Sequence, residues 1–360
     1  MSNIQPDDRG GWGGLFAKGL QGGWHLLTQL LSGYGATRES EPNVQWLRID
    51  LGAIPQDLTG QIVGKELYPT SIGTFSDVWK CVYPFGRHHK LVLSVAVKSI
   101  RGHSDDDFRQ EKSKILHEQV ERWKTLVHKN VLPVYGTTLD FGTLPSLVCP
   151  WVDGGSLTHY LGVNPNLSTE KRHDMLSQIS DGLSYLHSKE IMHGELNGVG
   201  SSFIIPVRIL ILFQANVLMD TNGNAYLTDF GLFPIVLEFR SAPYLSTAIG
   251  SSVRWAAPEL FQVSDTDDGT TFQLSLRSDI YSFGSVMLQI LSGNIPYHTI
   301  KRDDQVLYAI ARGIKPPRAQ TSFMTDQHWE FIQQCWTSVQ ENKRPSAADV
   351  SAFLATHRPQ

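Results

Sequence analysis

The feature that most limits what this chain can fold into is a change of periodicity partway along it. Alternating, valine-rich pieces come first, at residues 78–82, 91–100, 131–139 and 146–149. Alternation puts successive side chains on opposite faces of a sheet. One charged helical stretch, 106–126, separates the second piece from the third. From residue 168 onward the apolar spacing is three and four, over 168–187, 279–291, 304–311 and 326–335, which is the period of a helix face. Strands gathered first and helices after predict an α+β chain in two lobes, a small β-rich one and a larger helical one.

Composition narrows the class. The 360 residues are 41% hydrophobic and 18% charged, which excludes a wholly disordered chain. The net charge of −4 offers no basic excess to a polyanion, so nucleic acid is not an expected partner. Cys81, Cys149 and Cys335 are far apart and odd in number. That argues against a disulfide framework or a cysteine zinc site and for a reducing cytoplasm. No apolar run reaches the roughly 18–20 residues that span a bilayer. The first residues lack the pattern of a secretory signal, and Ser2 excludes N-myristoylation.

Four short motifs carry the chemistry. Lys98 closes Val95-Ala96-Val97-Lys98. Asp229-Phe230-Gly231 follows the strand-like Ala225-Tyr226-Leu227, and Ala257-Pro258-Glu259 comes 28 residues later. Between Lys98 and Asp229 lie His193-Gly194-Glu195-Leu196-Asn197 and then Asn216. Singly each is weak, because a lysine at a strand end is usually solvated and Asp and Gly are common turn residues. Their order and separation together carry the signal. A tempting alternative, Gly60-Gln61-Ile62-Val63-Gly64-Lys65, is one residue short of a P-loop and continues with Glu66 instead of Ser or Thr.

In this order the motifs resemble those of the eukaryotic protein kinase family, and within it the tyrosine-kinase-like branch with its fungal expansion. Supporting phrases are Gly182-Leu183-Ser184-Tyr185-Leu186-His187, Arg254-Trp255-Ala256, Ser278-Asp279-Ile280-Tyr281-Ser282-Phe283-Gly284, Cys335-Trp336 and Arg344-Pro345-Ser346. The resemblance implies a kinase domain at 57–358, with an N-lobe at 57–149 and a C-lobe at 153–358, after an arm and linker at 1–56. It also implies ATP and Mg2+ as cofactors and a protein as substrate or partner. By the same resemblance Lys98 contacts the α- and β-phosphates, and Asn216 and Asp229 hold magnesium, a hard cation that takes oxygen ligands. Ser71, Gly73 and Ser76 belong to the loop that covers the phosphates. The adenine meets the Pro150 carbonyl and the Val152 N–H. Glu259 is the expected partner of Arg344 in the larger lobe.

The departures from the family's pattern are as informative. The phosphate loop keeps only its middle glycine, Gly73, so close backbone approach to phosphate is partly lost. The helical glutamate that pairs with the strand lysine falls, by counting back from His128, on Gln119. Its neighbour Glu118 is turned away by about 100° on a helix. In the catalytic loop Gly194 replaces an arginine, Glu195 replaces the aspartate base with a longer carboxylate, and Asn197 replaces a lysine. A misplacement of about 1 Å can cost on the order of 10²-fold in rate, and loss of one electrostatic stabiliser typically costs about 10²–10³. The expected function is a kinase-like protein that binds Mg-ATP with transfer weakened or lost. The alternative is an active, atypical kinase with Glu195, Asn197 and Lys98 as its catalytic residues and Glu195 as the base.

Two segments stand outside the resemblance. Seven of the fourteen residues at 10–23 are glycine, and Trp12, Leu15, Phe16, Leu20, Trp24, Leu27 and Leu31 form a helical stripe. This arm reads as a docking element for a partner, or else as a disordered arm or a segment packed on the lobe. A membrane surface is the weaker option, since Lys18 is the only cation at 12–31. Residues 199–214 separate Asn197 from Asn216, where the family allows two residues. They are apolar or small apart from Gln214 and one charge, Arg208. Sixteen codons keep the reading frame, a valine codon begins with GT, and Phe213-Gln214 can be written to end in CAG. The segment therefore reads as a translated intron whose removal joins Gly198 to Ala215.

Overall fold

The fold is that of a computed structural model, which describes residues 51–73, 76–86, 91–101, 109–197, 202–203, 211–212, 216–232, 234–235, 252–261 and 274–359. The expected helical stripe of the N-terminal arm lies outside the described residues, as does most of 199–214.

The small lobe is an antiparallel sheet in the order β1-β2-β3-β5-β4. Its strands are β1 (Ser71–Ile72), β2 (Ser76–Phe85), β3 (Leu91–Ile100), β4 (Gly136–Thr138) and β5 (Ser146–Pro150). Strands β2 and β3 pair over their whole length, from Ser76 opposite Ile100 to Phe85 opposite Leu91. The alternation in the sequence decides which side is buried. Trp79, Cys81 and Tyr83 stand opposite Val97, Val95 and Leu93, and all six belong to one apolar cluster. The other face brings Val78 opposite Lys98 and Lys80 opposite Ala96, and this face meets the cleft. Lys65 caps the outer cluster, with its ammonium over the Phe141 ring (4.5 Å) and donating to Asp140 O (2.7 Å). That is a structural role, not a phosphate site.

The helix α1 (Arg109–Lys124) packs beneath the sheet. Leu116, Val120 and Trp123 recur at four and three residues and are all buried, which is the stripe a helix needs to face a core. Packing begins before residue 57. Ile54 is buried in the small-lobe cluster, Ile54 O accepts from Lys124 Nζ (2.9 Å), and Gln56 donates to His117 O (3.3 Å) on α1.

The strand expected at 131–139 is shorter than its alternation suggests. Only Gly136–Thr138 joins the sheet, although residues 131–135 are buried. Pro133 lacks the N–H that a continuous ladder needs, and the chain bends there to pair Val131 with Leu227 in the other lobe.

The large lobe contains α2 (Leu157–Val163), α3 (Thr169–Ser188), α4 (Leu276–Ser292), α5 (Asp303–Ala311), α6 (Asp326–Cys335) and α7 (Ala347–Thr356), with a small hairpin of β8 (Val217–Met219) and β9 (Ala225–Leu227). The hairpin β6 (Ser202–Phe203) and β7 (Ile211–Leu212) lies between α3 and β8. Helix α4 is the axis of the lobe, since every residue from Ser278 to Leu291 is buried. A helix apolar on all sides belongs in a core. Its start is fixed by the reciprocal Ser275–Ser278 capping box and its end by Gly293 at φ +75°. Capping boxes at Thr325–His328 and Ser346–Asp349 fix the starts of α6 and α7 in the same way.

Candidate functional site

The cleft between sheet and helices gathers the residues singled out in the sequence. Lys98, on β3, extends to Asp229, just after β9, with Nζ–Oδ2 at 2.5 Å and both side chains about nine-tenths buried. Asp229 holds a left-handed backbone, φ +65°, a strained state for a non-glycine residue that is common at functional sites. The next residue secures it, because Phe230 is buried edge-on against Trp123 of α1, with centroids 6.2 Å apart. The strand lysine therefore takes its carboxylate from Asp229. Glu118 is 64% exposed and among the described residues pairs with Lys114, four residues earlier, at 4.0 Å. The charge on α1 that the count from His128 missed is missing from the cleft as well.

The catalytic loop is held by its backbone. Asp279 on α4 is 1% exposed. Its Oδ2 accepts from His193 N (2.8 Å) and its Oδ1 from Gly194 N (2.8 Å), while Oδ2 also meets His187 Nε2 at 2.8 Å. Gly194 sits at φ +82°, where glycine is at home and a side chain would be strained. Two residues on, Glu195 faces the cleft half-buried. Burial pushes its carboxyl up to about 7, against the pull of Lys98 and a hydrogen bond from Ser252. Its carbonyl accepts from Asn216 Nδ2 (2.6 Å) and Asn197 Nδ2 (3.1 Å). The amide that stands where the family has a lysine is thus turned onto the loop's own backbone.

Asn216 and Asp229 flank the same position from β8 and β9, and Thr228 N donates to Asn216 O (3.1 Å). An amide oxygen and a carboxylate suit magnesium, which takes few protein ligands and completes its shell with phosphate and water. Among the described residues no group of three or more His, Cys, Asp or Glu is placed to hold a metal by itself.

The remaining sequence candidates line the small-lobe side. Ser71 and Gly73 lie at the turn from β1 to β2, and Gly73 N donates to Ser76 O (2.7 Å). That N–H closes the hairpin and is taken by Ser76 O rather than left for phosphate, and Ser76 is buried. Pro150 ends β5 opposite Val95, and Trp151 N donates to Ser94 O (3.0 Å). Val152 follows, buried, on the segment that joins the lobes. Burial pushes the Cys149 thiol beside it up to about 12, so it stays a protonated wall.

Three contacts were not singled out from the sequence. Asp279 could have been suspected from its place at the start of an apolar helix, and Ser252 from its nearness to Ala257-Pro258-Glu259. The third, Lys80 Nζ to Asp153 (3.2 Å) with the ammonium over the Trp151 ring (4.9 Å), bridges the cleft mouth. The expected pair of Glu259 and Arg344 is present and bidentate, at 2.5 and 2.9 Å, with both side chains at most 4% exposed.

The family model described as protein tyrosine and serine/threonine kinase matches residues 69–199 and 211–354. The probable serine/threonine-protein kinase kinX of Dictyostelium discoideum is 28% identical over 301 residues, 79% of this chain and 25% of that protein. The Raf homolog serine/threonine-protein kinase of Caenorhabditis elegans is 29% identical over 210 residues, 57% of this chain and 23% of the relative. The serine/threonine-protein kinase A-Raf of Mus musculus is 26% identical over 210 residues, 58% of this chain and 30% of the relative. The chain thus spans between about a quarter and a third of the length of these relatives. No helix among the described residues is long and apolar enough to cross a membrane.

Proposed function

The chain belongs to the protein tyrosine and serine/threonine kinase family, and from that premise we propose that it binds Mg-ATP and transfers the terminal phosphate to protein only weakly or not at all. The observation that supports this is the Lys98–Asp229 pair beside Asn216, the residues to which the resemblance assigns the phosphates and the cation. On the acceptor side, Asn197 supplies no cation and donates to the loop's own backbone. When bound, Mg-ATP supplies the phosphoryl group and the charge neutralisation that the reaction needs. Lys98 holds phosphate oxygens, Asn216 and Asp229 hold the cation, and the backbone at Pro150 and Val152 orients the base. A second reading, transfer with Glu195 as proton acceptor, is favoured by the Ser252 hydrogen bond that fixes this carboxylate. Thermal unfolding with and without Mg-ATP, beside a single-turnover assay with a generic protein acceptor, tests the proposal. No shift at millimolar nucleotide would end it.

Within the family, the Arg254-Trp255-Ala256-Ala257-Pro258-Glu259 phrase and the likeness to Raf proteins support the tyrosine-kinase-like branch. Three free cysteines support a cytoplasmic setting. Residues 199–214 are, in the same reading, a translated intron. The break in the family match between 199 and 211 supports this. The backbone of β7, inside the segment, comes within 8 Å of β1, where retained residues would crowd the phosphate loop. Sequencing the transcript checks the reading. A dominant message that keeps all sixteen codons, or genomic DNA without GT and AG at the two ends, overturns it.

A further inference from the structure

Lys315, just after α5, is an exposed residue whose amine turns back onto the lobe. It donates to Trp336 O (2.9 Å), at the end of α6, and to Tyr281 Oη (3.5 Å), on α4. Its Nζ stands 4.7 Å from the centroid of the Tyr281 ring. Arg344 lies over the same ring at 5.2 Å, so two cations share one π system. The carboxylate that would balance them is Glu259, and Arg344 already holds it bidentately, at 2.5 and 2.9 Å. The phenols add no negative charge, since burial pushes both Tyr281 and its hydrogen-bond partner Tyr297 up. Burial, and then the Arg344 charge, push the Lys315 amine down to about 8, with Glu259 opposing. The nucleotide side of the cleft uses none of these groups.

We propose that Lys315 is a modification site, whose amine takes an acyl group from an acyl thioester ahead of the chain's more exposed lysines. The Nζ lone pair attacks the thioester carbonyl carbon and the C–S bond breaks. The sulfur leaves as a thiol with the proton that nitrogen gives up. The products are an amide and a free thiol, so no oxidant or reductant is needed. A lysine becomes a nucleophile when desolvation or a neighbouring cation makes it less basic, and Lys315 meets both conditions. At pH 7.5 roughly a quarter of such amines are neutral, against about a thousandth for an ordinary lysine. A less basic amine also attacks more slowly, which takes back part of that gain. The neutral form can still donate an N–H to Trp336 O, so losing the charge does not release the side chain. The site goes beyond the nucleotide reading, since it requires no phosphoryl transfer and no bound ATP.

The probe is acetyl-coenzyme A, added to the full chain at pH 7.5, with acetylation of each lysine followed over time by peptide mass spectrometry. Lys114 and Lys343 are the internal references, because their side chains are 78% and 72% exposed and each lies beside a carboxylate, Glu118 at 4.0 Å and Glu341 at 3.3 Å. The expected result is that Lys315 reacts at least fivefold faster than either reference. Its rate should level off above about pH 8, while theirs go on rising toward pH 10. In concentrated guanidinium chloride, where the chain is unfolded, the preference should vanish. Equal or slower reaction at Lys315, or a rate that rises with pH as the references do, would overturn the proposal. So would a preference that survives unfolding, since it would come from local sequence and not from the Tyr281–Arg344 surroundings. Lys315→Arg should remove the first acetyl group seen in the intact mass. If that variant does not fold, the peptide rates on the unaltered chain decide alone.

Discussion

On the nucleotide side of the cleft, Lys98 pairs with Asp229 beside Asn216, the residues proposed to hold phosphate and cation. On the acceptor side, Gly194, Glu195 and Asn197 all depart from the family's pattern. The loop carrying those three departures is nevertheless held firmly, and the reason is which atoms hold it. Asp279 grips the N–H groups of His193 and Gly194, and every residue but proline offers that group. Side chains at 195 and 197 can therefore change without releasing that grip. The Lys98–Asp229 contact on the nucleotide side has no such freedom, because it runs from side chain to side chain. Where backbone sets the position, chemistry can drift. Where side chains set it, drift also removes the position.

The comparison breaks most readily at the clamp. Asp279→Ala would leave two loop N–H groups without their acceptor, and each buried unsatisfied donor costs about 1–3 kcal/mol. The expected outcome is a loss of at least about 3 kcal/mol in denaturant unfolding, or no cooperative transition at all. Near-normal stability would show that the loop is held by something else. Next in size, Asp229→Asn removes the partner of Lys98 and a magnesium ligand together. Mg-ATP affinity by calorimetry should fall at least tenfold while the fold survives.

The acceptor side offers the reverse test. Glu195→Asp combined with Asn197→Lys restores a shorter carboxylate and a cation, and single-turnover transfer should rise about ten- to a hundredfold. A fall would mean that the site has adapted to the longer side chain. The smallest expected effect lies far from the cleft. Burial holds His173 and His328 below the usual histidine range, in the packing of α3, α6 and α7. Arg358 and His357 push His173 the same way, and Asp174 opposes them. Both rings are neutral when folded, and the unfolded chain takes up their protons near pH 6.5. Stability from this source is full above that pH and is lost as pH falls through it toward the lower folded values. Glu195, pushed up to about 7, gains stability over the same fall in pH, so the comparison is between variants. Replacing both histidines with Gln should make the unfolding midpoint fall less, or rise more, between pH 7.5 and pH 5.5 than in the unaltered chain.

Much of this was legible in the sequence because side-chain chemistry is written there. The order of Lys98, Asn216, Asp229 and Glu259 pointed to the cleft and to the Arg344 pair. What the sequence hid depends on backbone and on neighbours. The 131–139 piece alternates like a strand, yet Pro133 stops the ladder and leaves three residues of it. Helix α2, only seven residues long, gave too few periods to stand out, although Ser156 accepts from His159 N as its cap. Asp279 belonged to a recognisable phrase, but nothing in that phrase says it reaches two N–H groups 85 and 86 residues away. The replacement of a helix glutamate by Asp229 as partner of Lys98 followed from Gln119 only as an absence.

The central claim is that the nucleotide side works while the acceptor side limits transfer. It is tested most directly by following binding and transfer in one sample, on the full chain and on the form lacking 199–214. The account predicts, for the shorter form, a saturable, magnesium-dependent rise in unfolding midpoint that Asp229→Asn abolishes. With the site saturated, single-turnover transfer should stay well below the roughly 1–100 s⁻¹ of typical kinases. Transfer within that range, or no response to millimolar Mg-ATP, would contradict it.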